Sequence, residues 1–159
     1  MRVRFRHLLV PAALATLLFA APASAAGRPE ALIARAVSAD ARGKFDDAVM
    51  LMQAAVVADP ARAASYVALG ELYARHGDPH FAHKYFDEAL YLDPSLAAAL
   101  AGSGKADLAL GDRAAAQAKL ARLQRVCGAG CKDAAALKAA IGAGKNADAD
   151  AAPSSLDKP

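Results

Sequence analysis

The chain lacks the residue runs from which sheets, nucleotide pockets and hydrolytic sites are built. Runs of β-branched residues are few and alanine is abundant, so helix is favoured throughout. No glycine loop is placed to cradle phosphate, because Gly102-Ser103-Gly104-Lys105 lies inside a helical segment with no strand before it. Nucleophilic catalysis finds no support either. Ser38, Ser65, Ser95, Ser103, Ser154 and Ser155 sit at caps, on helix faces or in the tail, and none occupies a strand-turn-helix elbow. Asp46-Asp47 and Asp87-Glu88 are sequence neighbours. A helix points such neighbours to different faces, so they read as caps and solvated charges. The sequence therefore predicts no catalytic residue, no cofactor and a chain that is not an enzyme.

A lasting excess of one charge is missing too. The 19 basic residues include Arg2, Arg4 and Arg6, and without those three 16 remain against 16 acidic residues. Those arginines open a segment with the anatomy of a secretory signal: a positive start, an uncharged apolar stretch from Leu8 to Ala21, and Pro22-Ala23-Ser24-Ala25 ending in a small-x-small cleavage pattern. Residues 1–25 are read as a signal peptide cut after Ala25 or one residue later, with an uncleaved membrane anchor as the alternative. The apolar stretch is short beside the roughly 20 residues of a spanning helix. No cysteine stands at the junction, which excludes lipoprotein processing. The expected mature chain is exported to the periplasm, without an integral membrane span. It lacks the basic stripe that nucleic acid requires, and its length suits one domain with a continuous core.

What is present in abundance is repetition. Gly43, Gly77 and Gly111 recur every 34 residues, as do Ala48, Ala82 and Ala116 and the dipeptides Asp59-Pro60 and Asp93-Pro94. In the middle unit Tyr66, Leu69, Leu72 and Tyr73 make one apolar stripe at three- and four-residue spacing, and Phe81, Tyr85, Phe86, Ala89 and Leu90 make a second. Two such helices must pack as a hairpin. Gly70 and Ala82 are read as points where two backbones approach, so that larger side chains would overpack by roughly 1–3 kcal/mol. Asp78-Pro79 is an N-cap followed by proline at the first helical position. Asp93-Pro94 ends the helix, because the residue before proline is pushed out of the α region. Asp112 is expected to cap in the manner of Asp78. One hairpin cannot cover its own apolar face, so the units must stack.

The middle unit reads Tyr66-x-x-Leu69-Gly70-x-x-Tyr73, Ala82-x-x-x-Phe86, Ala89, Pro94. It resembles the tetratricopeptide repeat (TPR), with tyrosine where the family prefers tryptophan. The resemblance extends over three units, 29–62, 63–96 and 97–130. The first keeps Leu32, Ala48, Met52, Ala55 and Pro60 but has Ala36 for the glycine and Ala39 for the tyrosine. The third keeps Leu100, Gly104, Ala116 and Leu120 but has Asp107 for the tyrosine and Gly128 for the proline. The implied fold is an all-α, right-handed α-solenoid of about three helical hairpins. Ala134, Leu137, Lys138 and Ile141 predict a capping helix over 131–142, and the aperiodic tail from 143 to 159 is expected to be disordered.

In that family the first helix of each hairpin lines a concave groove for a peptide or partner helix. Carried over by register, the groove positions are Glu30, Ile33, Val37 and Asp40; Ala64, Val67, Glu71 and Arg75; and Ala98, Ala101, Lys105 and Leu108. The family's carboxylate-clamp branch, which binds acidic chaperone tails, uses lysine and asparagine there. Val67 and Glu71 stand at the matching central positions, so an apolar or mixed-charge segment of another envelope protein is the expected ligand. The resemblance thus implies a non-enzymatic adaptor, with a short spacer whose groove is empty as the bland alternative. Two further readings stay open. Cys127 and Cys131 flank Gly128-Ala129-Gly130, a spacing that suits a structural disulfide worth about 2 kcal/mol but would also serve a thiol-disulfide protein. His76, His80 and His83 could form a weak metal site or be solvated turn residues. The oligomeric state is left open, association through the open repeat edges being one possibility.

Overall fold

The chain is described by a computed structural model over residues 28–128 and 130–150. The expected signal peptide and residues 151–159 of the expected tail lie outside that range. Seven helices and no strand occur among the described residues: α1 (Pro29–Asp40), α2 (Phe45–Ala58), α3 (Ala63–Arg75), α4 (Pro79–Leu92), α5 (Ala97–Ala109), α6 (Arg113–Cys127) and α7 (Lys132–Asp150). The first helices of the hairpins begin at Pro29, Ala63 and Ala97 and the second at Phe45, Pro79 and Arg113. Both series keep the 34-residue step. The architecture is an all-α helical-repeat solenoid.

Each hairpin turns by the same device. Gly43, Gly77 and Gly111 have φ of 74°, 74° and 85°, a left-handed conformation that costs other residues roughly 1–2 kcal/mol. The next residue's N–H reaches five residues back in every case, from Lys44 to Ala39 (3.0 Å), Asp78 to Tyr73 (3.0 Å) and Asp112 to Asp107 (2.8 Å). These bonds satisfy carbonyls left over at the helix end. Asp78 and Asp112 then start the second helices, accepting from the N–H groups of Phe81 (3.1 Å) and Ala115 (2.8 Å). Asp93 does stop α4, and its carboxylate accepts from the Ser95 N–H and hydroxyl.

Packing divides into two cores. Ala36, Ala39, Ala48 and Met52 of the first hairpin meet Leu69 and Leu72 of α3. Phe86, Leu100, Leu123, Leu137 and Ile141 belong to the other. Tyr73 packs against both, and its ring stacks on Phe81 at 5.0 Å and Tyr85 at 5.5 Å. Phe81, expected in the buried stripe, is 45% exposed. It lies at the edge of α4 and is held from one side by Tyr73.

The reason for Gly70 also differs from the expectation. A Cβ there would lie 2.9 Å from the Phe86 ring, and one on Gly102 would lie 2.4 Å from the same ring. The ring of α4 thus presses into α3 and α5 at once, and glycine makes room for a side chain rather than for a neighbouring backbone. Gly104 does the same for Leu137 of α7, whose atoms come within 2.7 Å of a Cβ placed there.

The third hairpin replaces an aromatic contact with a polar one. Asp107, only 3% exposed, takes the place of Tyr73 one repeat earlier and lies 2.9 Å from His83 Nε2. Buried Ser103 donates to Asp87 (2.9 Å) and accepts from Lys119 (2.7 Å). Asp87 is therefore a packing contact of α4 on α5, not only a solvated charge. Buried Ala134, Leu137 and Ile141 seat α7 on the last hairpin, as expected of a cap. Its backbone stays helical to Asp150, past the boundary expected at 142. Alanine-rich sequence favours helix even without apolar periodicity.

Replacing Gly102 with alanine should improve helix propensity yet lower stability by about 1–2 kcal/mol, because overpacking outweighs the gain. Thermal melts followed by circular dichroism at 222 nm check this, and Phe86→Leu in the same chain should restore part of the loss.

Candidate functional site

Alanine and glycine on facing helices leave space between them. A cleft of about 690 Å³ opens between α3 and α5, floored by Ala74, Ala82, Ala101, Gly102, Ala106 and the Phe86 ring. Its rim carries Glu71 and Arg75 from α3, Lys105 from α5 and Asp133 from the first turn of α7. Glu71, Lys105 and Asp133 make no ion pair with the described residues. Their charges line the cleft without an ion-pair partner among the described residues.

Arg75 is held in place. Its Nε and Nη2 donate to one oxygen of Asp40 at 3.2 and 3.0 Å, while His76 Nε2 lies 2.6 Å from the other. Asp40 ends α1, so this cluster ties the first hairpin to the end of α3. The hydrogen bond with His76 is the main reason the Asp40 carboxyl titrates below its ordinary value of 3.8; the Arg75 bond and charge add to it, against the cost of burial.

Five of the twelve positions assigned by register line this cleft: Glu71, Arg75, Ala98, Ala101 and Lys105. The other seven do not. Val67 is 8% exposed and belongs to the core with Phe86 and Leu100. It shares a helix face with Glu71 and Ala74 but lies about two turns nearer the start of α3, where the core covers it. Leu108 packs against that core and Ile33 against the first one. Glu30 is paired with Arg62 and Asp40 with Arg75. Val37 and Ala64 are exposed outside the cleft. Register alone missed Phe86, Gly102 and Asp133. The pair of glycines at 102 and 104 inside a helix was the available signal for the first two, whereas Asp133 has no counterpart in a shorter periodic pattern.

The three histidines do not form one site. His76 engages Asp40, His83 engages Asp107 and Asp87, and His80 stays exposed. No group of three or more His, Cys, Asp or Glu suited to a metal occurs among the described residues. Cys127 and Cys131 are joined as a disulfide with Cα atoms 5.6 Å apart, where α6 gives way to α7. No helix among the described residues is long and apolar enough to cross a membrane.

A family model described as tetratricopeptide repeat matches residues 63–96, the α3–α4 hairpin. That hairpin is a tetratricopeptide repeat (TPR) unit. Solved TPR structures share the fold of the chain. The Sgt2 TPR domain from Aspergillus fumigatus superposes with a TM-score of 0.68 at 21% identity, over 82% of this chain and 85% of that one. For the Yersinia enterocolitica type III secretion chaperone SycD, in complex with a peptide of the translocator YopD, the values are 0.64 and 20%, over 75% and 93%. The second TPR domain of human RPAP3, in complex with an HSP70 peptide, gives 0.63 and 23%, over 72% and 98%. No curated protein matches the chain.

The Asp40 cluster sets a pH dependence for this protein. A carboxylate with a lowered folded pKa contributes stability that is complete above its unfolded value and is lost as pH falls through the folded one. Asp40→Asn should therefore lower the melting temperature at pH 5, and the gap to the parent should close as pH falls from about 4 toward 2. Melts across that range check the sign.

Proposed function

We propose that this TPR protein is a non-enzymatic adaptor of the bacterial cell envelope that holds a segment of a partner protein in the cleft between α3, α5 and the start of α7. The observation that carries this reading is the cleft itself, with its floor of small apolar residues and the Phe86 ring, and rim charges of both signs that no described residue neutralises. An extended segment could bury an apolar side chain against that floor. Pairing of its own charges with Glu71, Asp133 and Lys105 would fix its direction. Two of the structurally similar proteins hold peptides, a translocator peptide in SycD and an HSP70 peptide in RPAP3. Glu71 at the centre of the rim disfavours acidic chaperone tails here, so a mixed-charge or apolar segment fits better. Export to the periplasm is supported by the form of residues 1–25 and by the bridged cysteines.

Ala98 and Ala109 line the cleft yet are exposed, so charges can be added there without disturbing the core. Affinity capture from the native envelope with the parent chain, compared with an Ala98→Glu, Ala109→Glu variant, should recover the partner at least about tenfold less well with the variant. Melting should be unchanged. Equal recovery by both would place the partner elsewhere on the molecule.

A further inference from the structure

The repeat register assigns a use to the open first edge of the solenoid. Residues 34 apart hold equivalent places, and in two repeats those places receive a helix. Leu69 of α3 packs in one core with Met52 of α2, and Tyr73 and Tyr85 pack against it. One repeat on, Ser103, Asp107 and Lys119 of α5 and α6 take α4 through Asp87 and His83. The equivalents in the first hairpin are Arg35, Ala39 and Leu51. They line a cavity of about 630 Å³ between α1 and α2, together with Ala34, Ser38, Arg42, Asp47 and Met50. No described element packs on this face, and Met50 is 61% exposed.

The chemistry of this seat differs from that of the other two in one respect. Arg35 and Arg42 are exposed and make no ion pair with the described residues, while the Asp47 carboxylate is already 3.7 Å from Lys44. The place held by Arg35 is that of Ser103, which in the third repeat meets the carboxylate of Asp87 on the incoming helix. The geometry points to a second docking surface, separate from the cleft, that receives an acidic amphipathic helix of another protein across α1 and α2. Its apolar face covers Ala34, Ala39, Met50 and Leu51, and a carboxylate at the place of Asp87 pairs with Arg35. A phenylalanine in the occupant, as in α4, would be too large here, because Ala34 stands where Gly102 yields to Phe86.

The α2 helix suggests the probe. It seats on the equivalent surface of the second hairpin with Met52 in place of the phenylalanine, and its residue at the place of Asp87 is Gln53. A stapled, labelled peptide of the Phe45–Ala58 sequence with Gln53→Glu is titrated with the full chain by fluorescence anisotropy, beside the same peptide with Gln53→Lys. The acidic peptide should bind at least about tenfold more tightly, with an affinity that weakens with salt. Arg35→Glu should remove that preference without altering the melt, and Met50→Asp should weaken both peptides. Equal binding of the two peptides, or a preference that survives Arg35→Glu, would overturn the assignment. Light scattering that showed a dimer of the full chain dissolved by Arg35→Glu would overturn it as well, by giving the seat to a second copy.

Discussion

The ring of Phe86 is the point about which the rest of the solenoid is arranged. It projects from α4 into α3 on one side and α5 on the other, and the two helices can close on it only because residues 70 and 102 carry no side chain. Glycine in a helix interior costs about 1 kcal/mol relative to alanine, so both helices accept a local penalty for an inter-repeat contact. The first hairpin confirms the relation by contrast. There Met52 stands in the place of Phe86, and alanine occupies both corresponding positions, Ala36 and Ala68. A thinner, flexible side chain leaves room for a methyl group on each side. Ring with glycines and thioether with alanines are two solutions to one volume constraint.

The cleft follows from that constraint. Helices that approach closely through small residues on one face present small residues along neighbouring rows as well. The alanines of α5 therefore pack the core at Ala99 and line an open trough at Ala98 and Ala101. Function in such a surface needs little chemistry of its own. It requires a rigid floor, which the two cores supply, and a few charges held at fixed places, which the Asp40–Arg75–His76 cluster and the seating of α7 supply.

Much of this was legible in the order of residues. The 34-residue step located all six repeat helices, and the aspartates at 78 and 112 cap as their position in the chain demands. Those features are local: a cap depends on three or four residues, and a turn glycine on its own φ. What escaped was decided between elements. Val67 shares a face with Glu71 and Ala74 yet is covered, because the core closes over the start of α3, which register cannot resolve. Asp107 looked like a damaged repeat position and is a buried partner of His83. Asp133 reaches the rim only because the cap is tied down beside it. Alanine-rich sequence beyond 142 carries no periodic signal by which a helix could be read.

The three glycine turns have a consequence for how the chain reaches this shape. Each closes its hairpin through contacts between close neighbours in sequence, and every hairpin rests mainly on the one before it. Assembly therefore demands no early union of distant segments, and topologies of this kind are among the fastest to form. A growing chain could set one hairpin at a time onto a surface already made, in the order in which residues leave the ribosome.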